Sequence, residues 1–404
     1  MYIKRAFENQ IKQGLSHYPV IMVTGPRQVG KSTMLKHITK DSGFTYVTLD
    51  YPQLRMLAKS DPELFLQQYK APLLIDEIQY APELLPFIKI RVDKENNNGM
   101  YILTGSQMFL TMKNISESLA GRVGIFKLFS FSQNELLERE SNPFLPTNQF
   151  PLTESTFTIQ NVFENILRGS MPRLRTEKEL SSESFYNSYI QTYLERDIRD
   201  LINIKKEREF IKFLSCIAAH TAQELVISEI AKEVEVDSKT IENWISVLES
   251  SGIIVLLKPF YNNVLKRIVK HPKIYFMDTG LACHLSMWNN AEALSVSAMA
   301  GAMFETYVVS EIIKSYVNSG KEYSNRLFYY RDTDQKEIDL LIVENNTIYP
   351  IEIKKSAAPD KSMLKNFMVL EKTSLTRGDG AVLCMTPFVL PLTQNDKAVP
   401  IAWI

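Results

Sequence analysis

The chain has 404 residues, a formal net charge of zero, 45% hydrophobic residues and 23% charged residues. That length suits two to four domains at roughly 100–200 residues each, with ample apolar material for several cores. Zero net charge excludes a globally basic nucleic-acid coat, so contact with a polyanion needs a local patch. Cys216, Cys283 and Cys384 lie far apart and form no CxxC pair, which points to a reducing cytoplasm and to no zinc site. The start, "MYIKRAFENQIKQGL", lacks the apolar stretch of a signal peptide. No uninterrupted apolar run nears the roughly 18 residues of a membrane span, so a soluble cytoplasmic protein with no membrane contact is expected.

The first strong signal is "YPVIMVTGPRQVGKSTMLKHITK". A strand over Val20 to Thr24 leads into Gly25–Ser32, which fits GxxxxGK[ST], and a helix follows from about Lys31 to Thr39. Gly25, Pro26, Arg27, Gln28, Val29, Gly30, Lys31, Ser32 and Thr33 are then the nucleotide-binding loop. Its glycines turn backbone N–H groups toward phosphates, and the helix N-terminus adds a favourable dipole. Lys31 would reach the β- and γ-phosphates and Ser32 would ligate Mg²⁺.

A nucleotide hydrolase needs a second signal, and "APLLIDEIQ" supplies it. An apolar strand, Leu73 to Ile75, runs directly into Asp76 and Glu77. Asp76 would hold Mg²⁺ through water, and Glu77 would polarise the attacking water. The next strand, "MYILTGSQ", ends in Thr104, Gly105 and Ser106, where a polar side chain, Ser106 the candidate, would sense the γ-phosphate. In "ISESLAGRVGIFKLF", Arg122 stands between a helix and a strand. It is a candidate to neutralise transition-state charge, in cis or from a neighbouring subunit of a homo-oligomer. A surface arginine or helix cap is the other reading.

The set "GPRQVGKST", "LLIDEIQ", "ILTGSQ" and "SLAGRV" resembles the AAA-type (ASCE P-loop) ATPases of bacteria and archaea that carry a C-terminal DUF4143 region. The likeness continues through "TYLERDIRDL", "KRIVKHPKIYFMDTGLAC" and "FETYVVSEIIK". The resemblance implies a P-loop parallel sheet and ATP as the nucleotide, with Mg²⁺. It leaves the biological task open.

"SNPFLPTNQFPLTEST", residues 141 to 156, reads as an exposed connector because of its three prolines and its Asn, Ser and Thr content. Residues 160 to 215 read as helical, broken at "RGSMPRLR". In an AAA-type protein this is the small helical lid, where Arg168 or Arg173 would touch nucleotide; a plain helix–helix turn is the alternative. Further on, Ile227 to Val234 is a short helix, Ser238 an N-cap, and Thr240 to Ser250 a second helix, followed by the β-type run "GIIVLLKPF". That is a winged helix-turn-helix outline, with Lys239, Glu242, Asn243 and Ser246 on the exposed face. Lys258 to Lys273 holds five Lys or Arg and no acid, a basic wing able to grip DNA phosphates. The near-neutral second helix argues against sequence-specific readout, and docking within the chain or onto protein is the competing reading.

The last stretch follows an αβββαβ order. An amphipathic helix, "GAMFETYVVSEIIKSYVN", precedes the strands "RLFYYRD", "KEIDLLIV" and "TIYPIEIKKS". The helix "KSMLKNFMVLEK" and the strand "GAVLCM" complete it. This order matches restriction-endonuclease-like folds. Asp339 and Glu352 fall on adjacent strands of a hairpin, Glu352 and Lys354 share one face, and Glu305 on the helix completes the set. Glu305, Asp339 and Glu352 would hold Mg²⁺, while Lys354 orients or deprotonates the attacking water. The same residues could equally serve binding without cleavage.

The expected organisation is an α/β chain. It comprises a P-loop ATPase core (1–140), a connector and helical lid (141–209), a winged helix-turn-helix (210–290) and a restriction-endonuclease-like domain (300–404). The expected function is an Mg²⁺-dependent ATPase that drives or gates a DNA-directed, nuclease-like module; a nucleotide-dependent switch that binds without cutting is the alternative.

Overall fold

A computed structural model describes residues 2–105, 118–194, 207–261 and 271–404. Its first unit is a five-stranded, all-parallel sheet of β1 (Val20–Thr24), β2 (Thr45–Thr48), β3 (Leu73–Asp76), β4 (Tyr101–Thr104) and β5 (Val123–Lys127). The order is β2-β3-β4-β1-β5, so β4 lies between β1 and β3. Every residue of β1, β3 and β4 is buried, as continuous apolar runs covered on both faces require. Alternate residues feed two cores: Ile21, Val23, Leu74 and Ile102 on one face, Val20, Met22, Leu73 and Leu103 on the other. Because all strands run the same way, the phosphate loop after β1, Asp76 at the end of β3 and Thr104 at the end of β4 meet at one sheet edge.

Residues 141–156 are largely exposed or half-buried, as their composition suggests, but the segment is anchored. Phe144 is 2% exposed, its N–H donates to Ser315 Oγ (3.1 Å) and its carbonyl accepts from Tyr316 Oη (3.2 Å). Ser319 Oγ also donates to the Ser141 carbonyl (3.0 Å) and Ser155 N to the Pro387 carbonyl (2.8 Å), so the aromatic anchor and these bonds strap a polar, proline-rich segment to the last domain.

In the middle region, the helices Ile227–Val234 and Ser238–Ser250 lead into an antiparallel pair, β6 (Ile254–Leu257) and β7 (Lys273–Phe276). The second helix is capped by Asp237 rather than Ser238, through Oδ1 accepting from Thr240 N (2.9 Å). Lys239, Glu242, Asn243 and Ser246 are exposed.

The C-terminal sheet is mixed. β8 (Leu327–Arg331), β9 (Glu337–Glu344) and β10 (Thr347–Ile353) pair antiparallel. Short β11 (Thr376–Arg377) and β12 (Gly380–Cys384) pair parallel with β10, β14 (Asp396–Pro400) pairs parallel with β12, and β13 (Leu390–Pro391) closes the edge. Between β10 and β12, Lys361–Lys372 forms a 3₁₀-helix instead of an α-helix. Its buried Leu364, Phe367 and Leu370 recur every three residues, which suits three residues per turn.

The helix Ala300–Asn318 is not amphipathic, contrary to expectation. Polar Thr306, Ser310, Glu311, Lys314 and Ser315 are buried along with its apolar residues. It runs inside a core that extends from Phe7 to Ile404 and joins all three regions. Among the described residues, no helix is long and apolar enough to cross a membrane.

Candidate functional site

The loop between β1 and the helix Lys31–Thr39 holds three left-handed residues, Gly25 (φ 135°), Gln28 (φ 60°) and Gly30 (φ 90°). Left-handed residues within a tight loop turn successive N–H groups inward, making an anion-binding concavity. A Cβ on Gly25 would stand 2.0 Å from the Leu128 carbonyl oxygen, so no other residue fits there. Gly30 caps the helix without a side-chain partner, leaving the helix-start N–H groups for an anion. Lys31 Nζ lies over the loop, donating to the carbonyls of Gly25 (2.9 Å) and Pro26 (2.8 Å). A cleft of about 660 Å³ opens here, lined by Arg27 to Thr33 together with Glu77, Arg5 and Arg173.

Asp76 is buried and held by three hydroxyls. Ser32 Oγ donates to Oδ1 (2.9 Å), Tyr46 Oη to Oδ2 (2.9 Å), and Thr104 Oγ1 also to Oδ1. Ser32 and Asp76 thereby present adjacent oxygens, the hard donor set that suits Mg²⁺. Glu77 adopts a left-handed backbone (φ 59°), which turns its side chain out of the strand into the cleft. Its N–H donates to Thr104 Oγ1 (3.4 Å), and its carboxylate accepts from Gln79 Nε2. Burial raises the Glu77 carboxyl above its ordinary range, with Gln79, Lys31 and Arg27 opposing. The polar side chain at the end of β4 is Thr104; Ser106 lies outside the described residues.

Arg122 does not reach this site in cis. Its carbonyl accepts from Val20 N (3.2 Å), so it lies at the start of β5 and β1, opposite the phosphate loop. The five residues of β1 put roughly 16 Å of strand between the two ends. Its guanidinium is paired with Asp93 and donates to the Ala120 carbonyl (2.9 Å). Arg168 is also occupied, bracing the turn through the carbonyls of Leu174, Glu177 and Lys178. Arg173 does line the cleft, with its guanidinium 2.9 Å from Glu177.

No motif flagged Arg5. It is 2% exposed and donates to the phosphate-loop carbonyl of Val29 (2.8 Å), to Phe129 O (2.8 Å) and to Glu135 Oε1 (2.8 Å). Glu135 closes a capping box with Ser132. In the same short helix, Gln133 N donates to Glu311 Oε2 (2.6 Å) of the C-terminal domain, and Lys314 Nζ reaches Glu311 (2.9 Å) and Phe131 O (3.0 Å). A buried polar chain therefore runs from the phosphate loop to the helix Ala300–Asn318.

The second cluster is in the C-terminal sheet. Lys354 Nζ lies 2.6 Å from Glu352 Oε1 and 3.5 Å from Asp339 Oδ2, while Asp339 also accepts from Ile353 N (2.7 Å). Glu352 Oε2 is buried with no hydrogen-bond partner among the described residues. Burial holds both Glu352 and Glu305 above the ordinary carboxylate range; at Glu352 the charge of Asp339 adds to it and Lys354 opposes, while at Glu305 Lys273 opposes more strongly than Asp339 adds. Glu305 is engaged from the middle region: Lys273 Nζ (3.0 Å) and Tyr275 Oη (2.6 Å), both on β7, donate to its Oε1. Lys273 also meets Glu337 (2.5 Å). Among the described residues, Glu305, Asp339 and Glu352 do not bring three ligand atoms within 4.8 Å of one another. The expected metal set is thus gathered into one electrostatic cluster, but its third carboxylate faces an internal ammonium.

Lys273 consequently leaves the expected basic wing, since it is 2% exposed. Phe260 is buried as well, whereas Lys258 is exposed. Lys266, Arg267 and Lys270 lie outside the described residues.

Residues 17–137 match a family model described as an AAA domain, and residues 300–404 match the domain of unknown function DUF4143. Residues 159–292 match another domain of unknown function, DUF8612. The chain therefore joins an AAA-type ATPase domain to a C-terminal DUF4143 domain. Uncharacterized proteins of Mycobacterium tuberculosis and Mycobacterium bovis are each 25% identical over 394 residues, covering 97% of this chain and 82% of theirs. Among solved structures, a Walker-type ATPase of Pyrococcus abyssi is 18% identical, covers 69% of this chain and 94% of its own, and has a TM-score of 0.42. The Holliday junction branch migration motor RuvB of Thermotoga maritima is 16% identical, covering 62% of this chain and 88% of its own, with a TM-score of 0.31.

Proposed function

We propose that this chain hydrolyses ATP with Mg²⁺ and that its nucleotide state gates a DNA-directed, nuclease-like C-terminal module. The observation that carries the first half is that Lys31, Ser32 and Glu77 line one cleft, with Asp76 hydrogen-bonded to Ser32 and Thr104 to Asp76. In this reading the loop N–H groups bind the phosphates and Lys31 exchanges its two loop carbonyls for phosphate oxygens. Ser32 and Asp76 hold the cation, which supplies charge neutralisation at the phosphates. Glu77 accepts a proton from the attacking water, helped by burial that keeps its carboxyl basic. Thr104 keeps Asp76 and the Glu77 backbone in register. Arg173 and Arg27 are the cationic side chains best placed to meet charge developing on the γ-phosphate.

For the second half, the orphan oxygen of Glu352 beside Lys354 supports a site built for another ligand. Asp339 and Glu352 are oxygen donors that fit a hard divalent cation, and Lys354 can hold or take a proton from water at the scissile phosphate. The buried chain from Arg5 through Glu135 and Gln133 to Glu311 supports coupling between the two sites. A second reading has support of its own. The Lys273 ammonium already neutralises Glu305, which favours a nucleotide-dependent switch that binds a partner without cutting it.

The experiment combines phosphate release with incubation of several DNA forms in Mg²⁺ or Mn²⁺, using Lys31→Ala and Lys354→Ala as controls. Phosphate release should vanish in Lys31→Ala, and DNA products should vanish in Lys354→Ala. Hydrolysis at the parent rate in Lys31→Ala would sink the ATPase assignment. The absence of products with every DNA form, alongside nucleotide-dependent DNA retention, would select the switch.

A further inference from the structure

Outside both sites, the helix Glu207–Ala219 carries Cys216, and His220 follows four residues later on the same face. The helix Ile227–Val234 packs beside it and brings up Glu233. Cys216 Sγ lies 3.0 Å from Glu233 Oε2, and His220 Nε2 lies 3.8 Å from Glu233 Oε1. One ligand atom from each residue falls within 4.8 Å of the others, and no other three such side chains among the described residues do so. Two atoms bound to one tetrahedral zinc ion at ~2.0–2.3 Å stand about 3.4–3.6 Å apart, so small side-chain rotations would close the set.

The imidazole is already oriented for a metal. His220 Nδ1 lies 2.9 Å from the Cys216 carbonyl oxygen, which fixes the proton on Nδ1 and leaves the Nε2 lone pair on the side of Glu233. Ligating histidines use this arrangement, with the second ring nitrogen donating to a carbonyl or carboxylate. A thiolate, a carboxylate and a neutral imidazole together balance a divalent charge. Sulfur and imidazole select a zinc-class ion over Mg²⁺.

We propose that Cys216, His220 and Glu233 form a zinc-class site that ties the helix Glu207–Ala219 to the first helix of the helix-turn-helix pair. Binding releases the Cys216 thiol proton to solvent, and a fourth ligand position remains for water or a partner's donor. Sequence spacing hides the site because its ligands come from two helices and include only one cysteine.

The test is a Co²⁺ titration of the full chain in Mg²⁺ buffer with a non-thiol reductant. The expected result is a saturable thiolate-to-cobalt charge-transfer band that Zn²⁺ abolishes. The band should be lost in Cys216→Ser and should need on the order of tenfold more cobalt, or more, in His220→Gln. Glu352→Gln, altered only at the other centre, should retain it. Circular dichroism confirms that each variant is folded. No band at saturating cobalt, or an undiminished band in folded Cys216→Ser, overturns the proposal.

Discussion

Glu77→Gln should bind ATP as the parent does and turn it over slower by on the order of 10²- to 10⁴-fold, the usual loss when a general base is removed. The amide keeps the size and the contact with Gln79, and Asp76, Ser32 and Thr104 are untouched. Only the capacity to accept a proton disappears. Nucleotide affinity measured with a fluorescent ATP analogue, beside single-turnover phosphate release, separates the two effects. A variant that loses affinity and rate together would mean that Glu77 shapes the cleft rather than the chemistry. Unchanged turnover would remove it from the mechanism.

Lys273→Met should be the most destabilising single change in the C-terminal centre. It takes the buried ammonium from between the half-buried Glu305 and Glu337, leaving Tyr275 as the remaining donor to Glu305 and Arg331 as the cation beside Glu337. Breaking one side of a buried ion pair costs about 3–5 kcal/mol. The loss should be largest in chelator and partly restored by millimolar Mg²⁺, because a cation that binds only the folded state adds stability by mass action. Denaturant titrations in each condition measure this. Equal stability of parent and variant in chelator would show that the Lys273 ammonium contributes little. A loss that Mg²⁺ does not touch would show that the carboxylates hold no cation even when uncovered.

Local signals made the candidate nucleotide site legible. Gly25, Gly30, Lys31 and Ser32 sit within one loop, and Asp76-Glu77 ends an apolar run, so each is constrained by its immediate neighbours. The Asp339, Glu352 and Lys354 cluster was legible for a similar reason: a tight hairpin fixes which residues oppose each other. The cis reading of Arg122 failed because its neighbourhood does not reveal which end of a parallel sheet it will occupy; its pairing with Asp93 agrees with the surface-arginine reading. Arg5 carried no local signal, and the local signal of Lys273 pointed to a basic wing rather than to a buried ion pair. Their partners, Glu135 and Glu305, lie 130 and 32 residues away, and only packing brings them together. The same limit applies to the helix Ala300–Asn318, whose polar residues read as a wet face until a second layer covered them.

In the proposed function, ATP at the phosphate loop controls the C-terminal module through the chain Arg5–Glu135–Gln133–Glu311. The most direct measurement is DNA binding and product formation in Mg²⁺ by the parent and by Arg5→Met, each with and without ATP. Arg5→Met removes the guanidinium bonds to Glu135 and to the Val29 and Phe129 carbonyls, while Glu135 keeps its bonds from Ala6 N and Ser132 N and Lys31, Ser32, Asp76 and Glu77 are unaltered. ATP should change the DNA response of the parent while leaving that of a folded, ATP-binding Arg5→Met unchanged. A parent whose DNA response is the same with and without ATP would contradict the account.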